Sequence, residues 1–107
     1  MSLVDDFKKR YSSQEFTAIK CPLLDITIHV KPLTLSQASE IDSAEGGTYG
    51  RIATIFMVRA KHEDGKPIVK PDERSDFMRY ADEGAILEAV GLINKTNLSV
   101  EEIEKKS

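Results

Sequence analysis

The feature that most restricts the fold is a strict alternation of apolar and polar residues at positions 24–31. Leucine, isoleucine and valine occupy the even positions, and Asp, Thr, His and Lys occupy the odd ones. Because successive side chains of a strand point to opposite faces, this pattern predicts a strand with one buried face. Residues 16–19 are also typical of a strand, and Pro22 lies between the two segments. Residues 16–31 therefore predict an antiparallel hairpin that turns at 21–23.

A helix is predicted to follow the hairpin directly. Pro32 ends the second strand, and Thr34 lies three residues before Gln37 in the T-x-x-Q spacing of a capping box. This box predicts a helix that begins at Leu35 and runs to about Asp42. Residues 43–47 contain two glycines and are expected to be the most flexible internal segment, with 46–50 as a linker.

Residues 49–60 are apolar around most of a helical circumference. One face of such a helix would carry Tyr49, Ile52, Ala53, Phe56 and Ala60. The length favours a helix, but the β-branched content leaves a strand at 52–60 as the alternative. That strand would pair with residues 67–69 across a turn at 63–65.

Four further segments have helical signals. Residues 71–73 offer Asp72 as a cap with an acidic first turn, which predicts a helix through 77–81. Apolar residues at 86, 87, 90 and 93 predict the next helix, which ends at 94–97. A second capping box at 99–102 begins a short polar segment. Near the other end, Leu3, Val4, Phe7 and Tyr11 have the spacing of one helical face and predict a short docking helix or arm.

These signals together predict an α+β fold with a small N-terminal antiparallel β-hairpin followed by a bundle of about four short helices. A chain of 107 residues, 40% hydrophobic and 31% charged, suits one hydrophobic core. We therefore expect a single domain over residues 1–107, with flexible ends at about 1–13 and 98–107.

Charge and apolar content exclude several classes of partner. The chain carries 15 Lys and Arg against 18 Asp and Glu, for a formal net charge of -3, so we expect no nucleic-acid partner. No apolar run approaches the roughly 20 residues that span a bilayer, so we expect no membrane partner and no secretion. Cys21 is the only cysteine, and a lone thiol is typical of a reducing compartment such as the cytoplasm.

The residue types that carry catalysis are scarce. One Cys and two His, at positions 29 and 62, cannot supply a structural zinc site. Cys21 adjoins Pro22 in a predicted turn without a group to orient a base, and the carboxylates fall at helix caps or on polar faces. The sequence therefore predicts a non-catalytic protein with no cofactor and no metal, which acts by binding other protein chains.

Three short motifs, in this order and in a chain of this size, resemble a known family. They are V-x-x-L-T at 30–34 before the first predicted helix, D-G-K-P at 64–67 after the apolar segment, and L-S-x-E-E-x-E-K at 98–105. The chain resembles the tail assembly chaperones of long-tailed, siphovirus-type bacteriophages over nearly its whole length.

The resemblance implies a protein that binds the long helical tape measure protein, keeps it soluble and helps recruit tail tube subunits in the host bacterial cytoplasm. It also implies that the protein is absent from the mature virion. The alternative is a small phage structural or head-tail joining component that is retained in the particle.

The apolar segments suggest where such a partner binds. The predicted helices at 52–58 and 86–93 offer more apolar surface than one small core readily needs. The surplus predicts either a groove for a partner helix or a contact between copies in a homo-oligomer, and the alternative is that all of it is core. The surface predicted to bind the partner comprises Ile52, Phe56, Leu87, Val90 and Ile93.

Overall fold

The computed structural model describes residues 2–96 and confirms the α+β class. A two-stranded antiparallel hairpin follows one helix and precedes four others. The elements in chain order are helix α1 Leu3–Ser13, strands β1 Thr17–Cys21 and β2 Ile26–Val30, and helices α2 Leu35–Asp42, α3 Gly47–Arg59, α4 Arg74–Tyr80 and α5 Glu83–Thr96. The predicted flexible end at 98–107 and its capping box lie outside the described residues.

The hairpin is confirmed, although its turn falls later than predicted. The strands pair from Thr17 opposite Val30 to Cys21 opposite Ile26, which leaves residues 22–25 as the turn instead of 21–23. Asp25 takes the left-handed conformation there, with φ of 54°, and Asp is one of the few residue types that tolerate it.

One face of the hairpin is buried, as the alternating pattern predicts. Ile28 and Val30 of β2 are almost completely buried, and so are Ile19 and Cys21 of β1. Ile26 stands in the same alternation but is 40% exposed, because it lies next to the turn, where the strand pair ends. The hairpin therefore contributes one apolar face to the core.

Helix α2 begins at the predicted capping box. The Thr34 hydroxyl accepts a hydrogen bond from the Gln37 backbone N–H at 3.2 Å, and the Gln37 side chain accepts one from the Thr34 N–H at 3.1 Å. Two of the N–H groups at the start of the helix are thereby satisfied, and the helix runs from Leu35 to Asp42 as predicted.

The glycine-rich segment 46–50 is not a linker, which corrects the prediction. Gly46 and Gly47 have φ of 98° and 67°, and helix α3 already begins at Gly47. A Cβ at Gly50 would lie 1.9 Å from the backbone oxygen of Glu45, so only glycine lets the chain turn back this closely. The glycines therefore form a tight turn that leads directly into α3.

Residues 49–59 are helical within α3 and Ala60 is its C-cap, so the strand alternative is wrong. The segment after the helix does reach the sheet. Lys61 and His29 exchange backbone hydrogen bonds at 2.9 and 3.0 Å, and Lys61 also bridges to Pro67. A turn at Gly65, with φ of 89°, folds this segment back on itself. The hairpin edge is therefore extended by one residue pair.

The acidic stretch 71–73 forms a single 3₁₀ turn, Pro71–Glu73, and the predicted Asp72 cap is wrong. The Glu73 carboxylate accepts the Lys70 backbone N–H at 2.9 Å, so Glu73 makes the capping contact. Helix α4 then runs from Arg74 to Tyr80 and buries none of its residues completely.

The core lies between the hairpin, α3 and α5. Helix α5 packs against both α3 and β1, and the backbone N–H of Leu23 in the hairpin turn donates to the Glu88 side chain of α5 at 3.1 Å. The core residues are Ile19, Cys21, Ile28, Val30, Phe56, Ala60, Ile86, Ala89, Val90 and Ile93. Within residues 2–96, no helix combines the length and the apolar content needed to cross a membrane.

Candidate partner-binding site

The five residues predicted to bind a partner divide into two groups. Phe56, Val90 and Ile93 are 2%, 5% and 0% exposed and belong to the core. Ile52 is half-buried, and Leu87 is 41% exposed. The two faces that carry these residues pack mainly on each other and on the hairpin, which removes most of the set from solvent. A partner can reach Ile52 and Leu87.

An open apolar cleft lies where α3, α4 and α5 meet. Its volume is about 230 Å³. Its larger apolar lining residues are Ile52 of α3, Phe77 and Met78 of α4, and Ile86 and Leu87 of α5, with Tyr49 at one end. We call this surface the α3–α5 cleft. Met78 is 45% exposed, so the cleft walls are directly accessible from solvent.

Helix α4 forms one wall of the cleft and is anchored to α3 by two of its residues, Phe77 and Arg74. Phe77 stacks on Phe56 with ring centroids 5.5 Å apart and an interplanar angle of 20°. The Arg74 guanidinium donates to the Thr54 hydroxyl at 2.9 Å and to the Gly50 carbonyl at 3.2 Å. Thr54 in turn donates to the same carbonyl at 2.9 Å. These contacts hold a short helix that buries none of its own residues completely.

The rim of the cleft is acidic. The Asp82 carboxylate accepts the Ala85 backbone N–H at 2.9 Å and so caps the start of α5. Hydrogen bonding to the neighbouring Glu83 carboxylate, its negative charge and a smaller effect of desolvation raise the pKa of Tyr49. An apolar partner flanked by basic residues would complement this rim.

A second apolar surface lies on α1. Leu3, Val4, Phe7 and Tyr11 are 66%, 61%, 56% and 42% exposed, and no residue of α1 is buried. We call these four residues the α1 ridge. A groove of about 820 Å³ runs beside the ridge, between Phe7 and Tyr11 on one side and the 32–36 segment on the other.

One lysine attaches α1 to the hairpin. The Lys31 ammonium donates to the Tyr11 carbonyl at 3.0 Å and lies 4.5 Å from the centroid of the Tyr11 ring. It lies 4.8 Å from the ring of Phe16 as well. The cation therefore bridges the end of α1 and the residue before β1.

Two buried titratable side chains, Cys21 and Arg59, have pKa values shifted by their surroundings. Burial, with a smaller effect from Glu88, raises the pKa of the Cys21 thiol and favours its protonated form. Arg59 is 4% exposed, donates to the Lys31 carbonyl at 3.0 Å, and has its pKa lowered by desolvation. Among residues 2–96, no cluster of three or more His, Cys, Asp or Glu side chains could hold a metal ion.

Sequence reasoning missed the contribution of α4 to the cleft. Phe77 and Met78 were predicted only as helical residues, yet they supply one complete wall. The available signal was their adjacency in a short segment otherwise rich in charge, because neighbouring side chains of a helix point about 100° apart and one can pack on the core while the other stays exposed.

Comparisons of the chain with protein-family models, with curated proteins and with solved structures find no match. The features that bear on function are therefore the three sequence motifs and the α3–α5 cleft.

Proposed function

We propose that this protein is a tail assembly chaperone of a long-tailed bacteriophage, which binds the tape measure protein and helps recruit tail tube subunits. The observation that carries the proposal is the α3–α5 cleft, an exposed apolar surface that Ile52 and Leu87 share with α4. The resemblance of the motifs at 30–34, 64–67 and 98–105 supplies the identity of the partner.

The size of the cleft suits a protein side chain better than a metabolite. Small-molecule sites usually occupy about 300–1,000 Å³ and enclose their ligand. The cleft is smaller, at about 230 Å³, and open on one side. An amphipathic helix that inserts one or two apolar side chains per turn is the kind of partner that such a surface accommodates.

Charge supports the same class of partner. Asp82 and Glu83 at the rim favour a helix that carries Lys or Arg next to its apolar stripe. If such stretches recur along the long helical tape measure protein, a modest affinity at each site would suffice to coat it. The chaperone would act without catalysis or a cofactor, in the host bacterial cytoplasm.

The proposal is tested by co-expression with fragments of the tape measure protein from the same genome. We expect the wild-type chain to raise the soluble fraction of these fragments and to co-purify with them. Leu87→Asp places a charge in the cleft and should abolish both effects. Leu23→Asp is the matched control, because Leu23 is 62% exposed in the hairpin turn and lies outside the cleft.

Two results would contradict the proposal. One is a wild-type chain that leaves every tape measure fragment insoluble. The other is the presence of the chain at stoichiometric levels in purified virions, measured by mass spectrometry, which would favour the alternative of a structural or head-tail joining component.

A further inference from the structure

Helix α1 receives little stabilisation from the rest of the described chain. An isolated helix shorter than about 12–15 residues is marginal in water. Helix α1 has 11 residues and buries none of them, although four large apolar side chains lie along one side. Its contacts with the remainder of the described chain are concentrated at its end, where Lys31 contacts Tyr11.

The charges on α1 indicate what covers it. Asp5 and Asp6 lie in its first turn, whereas basic residues occupy positions 8–10. Within residues 2–96, the ion pairs present join Arg51 to Asp42 and Lys66 to Asp64, so no charge of α1 is paired. A helix with opposite charges in its two halves is complementary to a reversed copy of itself.

We infer that α1 is a homodimerisation element, which pairs antiparallel with α1 of a second copy through the α1 ridge. A two-fold axis near Phe7 would place Leu3 of one chain near Tyr11 of the other. Asp6 and Arg10 lie one helical turn apart along one edge of the ridge, so reversal brings Asp6 of each chain towards Arg10 of the other. A parallel pair would set the acidic half of one helix beside the acidic half of the other.

The groove beside the ridge fits the same occupant. Leu33 and Leu35 of the groove wall are 39% and 91% exposed, and Phe7 and Tyr11 belong to both the ridge and the groove. Phe7 and Tyr11 therefore join the ridge to the groove wall, and a helix packed on the ridge would lie beside Leu33 and Leu35. This surface lies apart from the α3–α5 cleft, so the inference does not depend on the proposed function.

Sedimentation equilibrium of the full chain tests the inference. We expect a reversible monomer-dimer equilibrium with a Kd in the micromolar to millimolar range, because a single short helix pair gives a small interface. Phe7→Ser should weaken the dimer by about tenfold or more. Leu23→Ser, a change of the same kind at an exposed leucine outside the ridge, should leave the Kd unchanged. A wild-type chain that stays monomeric up to about 1 mM would overturn the inference.

Charge reversal tests the orientation. Asp6→Arg alone and Arg10→Asp alone should each weaken the dimer, whereas the double variant should restore it, because every pair is regenerated with its signs exchanged. Failure of the double variant to restore the dimer would overturn the antiparallel arrangement. The remaining occupant to test is a membrane surface. Flotation of a monomeric wild-type chain with vesicles of anionic phospholipid would show that lipid covers the ridge, and would also overturn the inference.

Discussion

Helices α1 and α5 have the same apolar spacing in sequence, but the apolar face of α1 is exposed and that of α5 is buried. Both carry large apolar side chains three or four residues apart. Helix α5 buries Ala85, Ile86, Ala89, Val90 and Ile93, whereas α1 buries no residue. The difference shows that periodicity identifies a face without revealing whether the same chain or another molecule covers it. This contrast is testable from the core outwards.

The largest effect is expected from the buried face of α5. Ile93 is 0% exposed, so Ile93→Ala removes buried methyl groups and leaves a cavity that lowers the free energy of unfolding by about 2–5 kcal/mol. Urea unfolding followed by circular dichroism measures this loss. A loss below about 0.5 kcal/mol, the range of ordinary surface changes, would show that α5 is not the centre of the core.

A smaller effect is expected at the entry to α3, the helix against which α5 packs. Gly50→Ala forces a Cβ against the Glu45 carbonyl and should cost on the order of 1–3 kcal/mol in the free energy of unfolding. The control is Gly91→Ala, because a Cβ at Gly91 in α5 meets nothing within 4 Å. This second variant should gain about 0.5–1 kcal/mol. Equal effects at both glycines would contradict the close approach at Gly50.

The pH dependence of stability reports whether α5 stays docked on the hairpin. Burial and Glu88 of α5 raise the pKa of Cys21 in the folded state. The resulting stabilisation is complete below the ordinary thiol pKa of about 8.5 and is lost as the pH rises towards the raised folded pKa. The urea midpoint should therefore fall more steeply above about pH 8.5 for the wild type than for Cys21→Ala.

The Cys21→Ala variant also serves as the control for other titrating groups. Tyr49, whose pKa is raised by Glu83, loses stabilisation in the same direction and equally in both proteins, so it cancels in the difference. Parallel pH profiles for the two proteins would show that the Cys21 thiol titrates in the folded state as it does in the unfolded chain.

The smallest effect on folding is expected in α1. Phe7→Ala should change the free energy of unfolding of the monomer by less than about 0.5 kcal/mol, because Phe7 is 56% exposed. The measurement is made at a protein concentration well below the dimer Kd. A loss as large as that of Ile93→Ala would show that the ridge packs within its own chain, and the contrast between the two helices would then fail.

The local elements were largely predictable from sequence. The alternation at 24–31 predicts β2, and the Thr34 and Gln37 capping box predicts the first residue of α2. The helical nature of α3 and α5 also follows from periodicity and length. The turn position and the Asp72 cap were predicted wrongly, because several neighbouring residues suit each role and the neighbouring strand or helix selects among them.

The sequence by itself determined which residues form helices and strands and which face of each is apolar, because these depend on backbone geometry over a few residues. Only the tertiary structure decided which apolar faces are core. Phe56, Val90 and Ile93 are covered by elements distant in sequence, whereas Leu87 and Phe7 stay exposed. Whether a face is buried depends on what packs against it. The segments that pack together are distant in sequence, so no local pattern predicts the contact.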